Sequence, residues 1–178
     1  MSETTRFSIR IDGSAEAVWR EITKQDELQG AFFNNYLDVE ALEPGQRFRM
    51  LTPSRQYAGV VGTVLELDPP HRYKHTMRFT NIDEPEFTVT HEITPLDTGG
   101  VEYTMILDGV VADSKSGKQA IQGMTMIAKA LKAIVETGRP GFGLRLLHGL
   151  FKLLEPLSPK STRVDRWPIG RNADEGGK

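Results

Sequence analysis

Between Tyr36 and Val110 the sequence breaks into short runs rich in β-branched and aromatic residues, each closed by turn chemistry. The runs are "YLDVEAL", "QRFRML", "QYAGVVGTVLEL", "HRYKHTMRF", "EFTVTHEITPL" and "GVEYTMILDGV". The breaks carry Pro44-Gly45, Asp68-Pro69-Pro70, Asp83-Glu84-Pro85 and Thr98-Gly99-Gly100. Connections this short join antiparallel neighbours, so the six runs predict a meander. The Asp-Pro-Pro break is the most restrictive. Pro69 and Pro70 cannot donate to a ladder and fix their own φ, so the strand must stop at Asp68. Asp68 is itself held extended by the proline that follows it.

Flanking segments complete the pattern. "TRFSIRID" places Phe7, Ile9 and Ile11 on one side of a half-buried strand. "DGSAEAVWREIT" predicts a helix with Ser14 as N-cap, Glu16 in its first turn, and Val18, Trp19 and Ile22 inward. A second short helix is expected around "DELQGAFFN", turning Leu28, Phe32 and Phe33 to the core. After the strands, Ala120, Ile121, Met124, Ile127, Ala128, Leu131, Ile134 and Val135 recur at helical spacing. They form a long amphipathic helix with Lys118, Lys129 and Lys132 outside, stopped at Gly138. Two parts are expected: a domain over 1–137, and a segment over 138–178 with a hinge, an amphipathic helix and a basic tail.

The charge divides in the same place. Residues 1–137 hold 14 basic and 20 acidic side chains, whereas 138–178 hold 8 and 4, so a basic tail follows an acidic body. The total of -2 gives no whole-protein case for nucleic acid. Without cysteine, disulfides, thiolate catalysis and cysteine-ligated zinc are excluded. "MSETTRFSIRIDGS" has no apolar signal core, and no run is long enough to span a bilayer, so cytoplasm is the expected compartment.

This order, with "SAEAVWREIT", "EPGQRFRMLTP", "GTVLELDPPHRYKHTM" and "EFTVTHEITPLDTGGVEYTM", resembles the helix-grip (SRPBCC) superfamily over roughly 6–137. That superfamily includes START lipid-transfer domains, the birch-pollen-allergen type and polyketide cyclases. Within it the chain is similar to the branch named after the C-terminal domain of the activator of the ninety-kilodalton heat-shock-protein ATPase. The resemblance implies an α+β fold: a curved antiparallel sheet wrapped around the long helix, with an elongated apolar cavity between them. The strand after Pro-Pro departs from the branch, which often carries tryptophan there; here it reads "YKHTMRF". The chain also continues about forty residues beyond the long helix, where a minimal domain of the branch would end.

Alternation then picks the residues that would face such a cavity. They are Tyr73, His75, Met77 and Phe79 on one strand, Phe87, Val89, His91 and Ile93 on the next, and Val101, Tyr103, Met105 and Leu107 on the last. Met124, Ile127 and Leu131 come from the long helix, and Phe32 and Phe33 from the short one. The candidate ligand-binding set is Phe32, Phe33, Tyr73, His75, Met77, Phe87, Val89, His91, Tyr103, Met105, Met124, Ile127 and Leu131. A lining this rich in methionine and aromatic rings suits an adaptable apolar site, and a fully packed core needs the same residues. Pairing Phe79 with Phe87 across "TNIDEPE" would set His75 directly opposite His91. Two imidazoles at that separation could hold a polar ligand head or share a proton. A metal would need a third ligand, and none is apparent. Arg47, Arg49, Arg72, Lys74 and Arg78 fall on the other face and read as a solvated surface.

Other chemistry is missing. "SKSGKQ" lacks the first glycine of a phosphate loop, since Ala112 stands there, and Gln119 replaces its Ser/Thr. "HEITP" lacks the second histidine of a zinc protease, and no G-x-S-x-G occurs. No catalytic residue, metal or cofactor is assigned. The tail predicts a hinge over Gly138–Gly143 and a short helix over Leu144–Glu155. Leu146, Leu147, Leu150, Phe151, Leu153 and Leu154 form its apolar face; Arg145, His148, Lys152 and Glu155 form its polar stripe. Exposing such a face costs about 25 cal/mol per Å², so it must dock. The choices are its own domain, a second copy through 142–157, another protein, or a membrane surface helped by Lys160, Arg163 and Arg166. The reading that follows is a non-enzymatic binding or carrier protein for a small apolar molecule of lipid, sterol or polyketide-like type, with no nucleic-acid partner. The alternatives are a co-chaperone-like interaction module, suggested by the branch name, and a cyclase- or hydratase-type enzyme using His75 or His91 as general acid/base.

Overall fold

The computed structural model describes residues 3–170. The alternating N-terminal run forms β1 (Glu3–Ile11), with Phe7, Ile9 and Ile11 turned to the core. Helix α1 (Ala15–Thr23) follows, its first turn capped by the Ser14 hydroxyl, which accepts from Ala17 N at 3.1 Å. Six strands then come in succession: β2 (Tyr36–Val39), β3 (Arg47–Leu51), β4 (Ala58–Asp68), β5 (Arg72–Phe79), β6 (Phe87–Pro95) and β7 (Val101–Val110). All pair antiparallel in the order β1-β7-β6-β5-β4-β3-β2, so the predicted meander is closed by the first strand joining the last.

The Asp-Pro-Pro corner ends β4 where expected, and His71 N donates to Asp68 O at 2.7 Å to close the turn. Irregular pairing near Leu51 and between Val64 and Glu66 bends the sheet. Helix α2 (Lys115–Thr137) crosses its concave side and buries Ala120, Met124, Ala128 and Leu131. Its N-terminus is held by the β5–β6 loop: the Glu84 carboxylate accepts from Lys115 N, Ser116 N and the Ser116 hydroxyl. Those bonds pull the Glu84 carboxyl down to about 2. At the other end Gly138 takes φ 78 and donates to Ile134 O, the left-handed stop that glycine supplies without strain.

Three local expectations are corrected. The second short helix is one 3-10 turn over Gly30–Phe32. Phe33 (φ 56) and Asn34 (φ 60) leave helical space, and Gln29 pairs with Asn35 to close a loop. Within that loop Gln29 and Ala31 are buried, while Leu28, Phe32 and Phe33 are half-buried. The β5–β6 register is shifted by two residues: Met77 pairs with Phe87, so His75 faces Val89 and His91 faces Tyr73. The cause lies on β4, where Phe79 pairs with Val60 and the Thr80 hydroxyl donates to Ala58 O at 2.6 Å. These bonds carry the end of β5 away from β6. Finally, Arg49 is no solvated surface residue. It is paired with Asp38 and donates to the carbonyls of Val164 and Trp167.

Those last bonds fasten the tail. Helix α3 spans Phe142–Leu154, two residues earlier than its sequence pattern suggested. It is followed by short 3-10 turns at Glu155–Leu157, Lys160–Thr162 and Val164–Arg166. Glu155 is buried and bonded to the Ser54 hydroxyl and amide, Val164 N donates to Gln56 O at 3.0 Å, and Arg78 lies 5.8 Å over the Trp167 ring.

Candidate functional site

Beneath α2 the sheet leaves a cavity of about 100 Å³, lined by α1, the 3-10 turn, β2 to β7 and the N-terminal half of α2. Of the residues singled out by sequence, Phe32, Phe33, Tyr73, His75, Met77, Val89, His91, Met105, Met124 and Ile127 line it together. Phe87, Tyr103 and Leu131 face the same side but do not reach it. Tyr103 and Leu131 are wholly buried behind the lining, and the Phe87 ring packs on that of Phe79. The structure adds Gln29, Asn35, Phe48, Met50, Val60 and Gly123, among others. Phe48, Met50 and Val60 lie on the inward alternation of β3 and β4, where the same periodicity could have found them. Gln29 and Asn35 are set by the loop closure, which no periodicity signals. No lining residue is Asp, Glu, Lys or Arg.

One wall is polar, and its hydrogen positions follow from its partners. The Thr76 carbonyl can only accept, so Nδ1 of His75, 2.9 Å away, carries a hydrogen. Nε2 of a neutral His75 is then an acceptor. The Nε2 of His91 lies 3.2 Å from it and donates. That leaves Nδ1 of His91 to accept from the Tyr103 hydroxyl at 2.7 Å. The chain Tyr103→His91→His75→Thr76 thus runs in one direction across β7, β6 and β5, with every imidazole nitrogen engaged.

Burial keeps this chain uncharged. Desolvation lowers His75 to about 4, and His91 is pushed well below its usual range by burial and then by His75 beside it. Burial raises both Tyr73 and Tyr103. Aromatic rings enclose the pair: Phe48 meets His75 edge-on at 5.1 Å, Phe32 meets His91 edge-on at 6.0 Å, and Tyr73 stacks on His91 at 5.6 Å. Among the described residues no third metal-ligating side chain joins the two histidines. The Tyr73 hydroxyl makes no hydrogen bond with another described residue. It is a donor and acceptor on the cavity wall. Gln29 and Asn35 commit their amide nitrogens to the carbonyls of Lys24 and Phe32, which leaves their oxygens to accept.

This arrangement of sheet, long helix and the cavity between them accompanies a sequence match over residues 12–136 to the family described as Activator of Hsp90 ATPase homolog 1-like protein. The chain belongs to that family. Its fold is the helix-grip fold of the wider superfamily. Protein CV1439 from Chromobacterium violaceum is 25% identical, with TM-score 0.55 over 75% of this chain and 97% of that one. PFC0360w, an HSP90 activator from Plasmodium falciparum, is 16% identical, with TM-score 0.60 over 77% and 97%. The Aha1 dimer from Colwellia psychrerythraea is 13% identical, with TM-score 0.61 over 76% and 98%. No curated protein matches the sequence. As an Activator of Hsp90 ATPase homolog 1-like chain, this protein ends its family match within α2, and α3 with the 3-10 turns after it lies outside that match. None of its described helices is long and apolar enough to cross a membrane.

Proposed function

We propose that the domain over 1–137 binds an uncharged, largely apolar small molecule carrying a hydroxyl-type group, held between the sheet and α2. The observation that carries this reading is a cavity without a single charged side chain, whose polar wall is a neutral, internally bonded chain. An ionised ligand would lose its hydration there with no counter-charge, which is costly. A hydroxyl would find the Tyr73 hydroxyl to donate to it, and the amide oxygens of Gln29 and Asn35 to accept from it. This favours phenolic, polyketide-like or sterol-like molecules over free fatty acids. Engagement of all four imidazole nitrogens favours a binding wall over acid–base machinery, because either histidine would have to break a bond before moving a proton.

Size sharpens the reading. Drug-sized ligand pockets hold about 300–1,000 Å³, and a cavity of about 150 Å³ suffices for benzene. About 100 Å³ fits less than one ring with the walls at rest. Larger ligands would enter as Met50, Met77, Met105 and Met124 repack and Phe33 swings. The test is an amide NMR titration of labelled protein with simple phenols, flavonoids, polyketide-like aromatics, sterols and fatty acids. The reading expects saturable shifts at Tyr73, His91, Met105 and Met124 with uncharged hydroxyl compounds, lost in Ala120→Leu, which fills the cavity. No shift with any of them, or shifts that persist in the filled variant, would defeat it.

A further inference from the structure

Helix α3 carries two apolar stripes. One, through Leu144, Leu147 and Phe151, leans toward the body: Leu144 and Leu147 are half-buried, and the Phe151 ring, still 44% exposed, lies 6.2 Å from that of Phe33. The other, Phe142, Leu146, Leu150 and Leu153, spans an arc of about 80° at 3.6 residues per turn and faces out. Phe142 is 79% exposed, Leu146 68% and Leu153 75%, and Leu157 beyond the helix is 78% exposed. No described residue covers this face. The charge beside it has one sign. Arg145 and Lys152 both lie along one edge of the arc and Leu154 along the other, with Arg139 and Lys160 beyond the ends. The single acidic residue between 138 and 164, Glu155, is buried against Ser54.

We propose that the outward face of α3 lies in the interfacial layer of an anionic lipid bilayer. An apolar arc with Arg and Lys along one edge is what such a layer accommodates: the ring and leucines enter the acyl boundary while the cations reach up to the headgroups. A second copy fits less well, because two-fold pairing of this face would set Arg145 and Lys152 near their own copies. The acidic body would be repelled by the same surface, which orients the helix toward it.

The position of α3 adds a second support, which rests on the ligand-binding reading. Beneath the helix is another cavity of about 270 Å³, lined by His148, Phe151, Lys152 and Asn34. Phe33 and Asn35 line both cavities, so Phe33 is the partition between them. The space under a bilayer-docked α3 would then open toward the ligand cavity.

Vesicle co-sedimentation of the full chain tests the docking without reference to any ligand. Phosphatidylcholine vesicles containing about a quarter phosphatidylglycerol should retain the protein, and pure phosphatidylcholine should retain far less. Leu146→Ser with Leu153→Ser, at exposed positions, should weaken retention about 100-fold with an unchanged melting temperature. Arg145→Gln with Lys152→Gln should weaken it about tenfold or more and flatten its salt dependence. Absence of binding to the anionic vesicles, or binding indifferent to the leucine pair, overturns the proposal. So does a dimer in sedimentation equilibrium that the leucine variant dissolves while vesicles retain nothing.

Discussion

His75 and His91 place their Nε2 atoms 3.2 Å apart although they are not cross-strand partners: His75 is paired with Val89 and His91 with Tyr73. A shift of two residues keeps both imidazoles on the inward face and makes their contact diagonal. One residue of shift would have turned one of them outward.

The buried pair should make stability fall with acid. His75 titrates at about 4 in the folded chain and near 6.5 unfolded. Above 6.5 both states are neutral there and pH has no hold on stability through this group. As pH drops below 6.5 the unfolded chain takes the proton first, and the loss is complete below 4. His75 alone contributes a loss of about 3 kcal/mol, and His91 adds in the same direction. Urea midpoints measured from pH 7.5 to 4.5 should decline, and less steeply in His75→Phe. A midpoint flat across that range would show that the imidazoles are solvated.

Two tyrosines of the same wall should respond differently to loss of the hydroxyl. Tyr103→Phe removes the only donor to His91 Nδ1 among the described residues and leaves a buried acceptor unpaired, which costs about 1–3 kcal/mol. Tyr73→Phe orphans nothing and should be neutral or slightly stabilising. Chemical denaturation separates the two. Equal costs would mean that the one-way hydrogen-bond chain is wrongly drawn.

Much of this architecture is legible in sequence because turn chemistry and alternation are local. The six runs from Tyr36 to Val110 became β2 to β7, and Ser14, Asp68 and Gly138 mark the boundaries their chemistry demands. Register was not legible: it was settled by Thr80 bonding to β4, a contact across more than twenty residues. The loop holding Gln29 and Asn35 was also hidden, since Phe33 and Asn34 adopt a left-handed backbone that β-carbon-bearing residues seldom take. Docking of α3 was half legible. The pattern showed an apolar face that needed a partner, but two stripes on one helix read as one broad face until the body covers the first.

Gly62 should tolerate no side chain. A β-carbon there would sit 2.0 Å from the Thr76 carbonyl oxygen and 2.7 Å from the Phe48 ring. The oxygen belongs to the neighbouring strand, so it cannot step aside as a flexible side chain would. Gly62→Ala should cost about 3 kcal/mol or more, read as a fall in the thermal midpoint. A variant as stable as the parent would show that β4 and β5 are less closely apposed at this point.

Gly123 offers the opposite case. It sits inside α2, where glycine is about 0.5–1 kcal/mol less favourable than alanine. A β-carbon there would meet only the Phe33 ring, at 3.9 and 4.0 Å, which is ordinary contact. Gly123→Ala should therefore raise stability by about that amount. Leucine would instead press on Phe33, the partition between the two cavities, and should hinder ligand entry while the fold persists. Comparing thermal midpoints with titrations of a bound phenol separates the effects. If leucine binds ligand as readily as glycine, Phe33 is not the way in; if alanine fails to stabilise, α2 is strained at this turn. If both expectations hold, the chain gives up helix stability at Gly123 to leave Phe33 room to move beside the cavity, the kind of trade expected where function needs room to move.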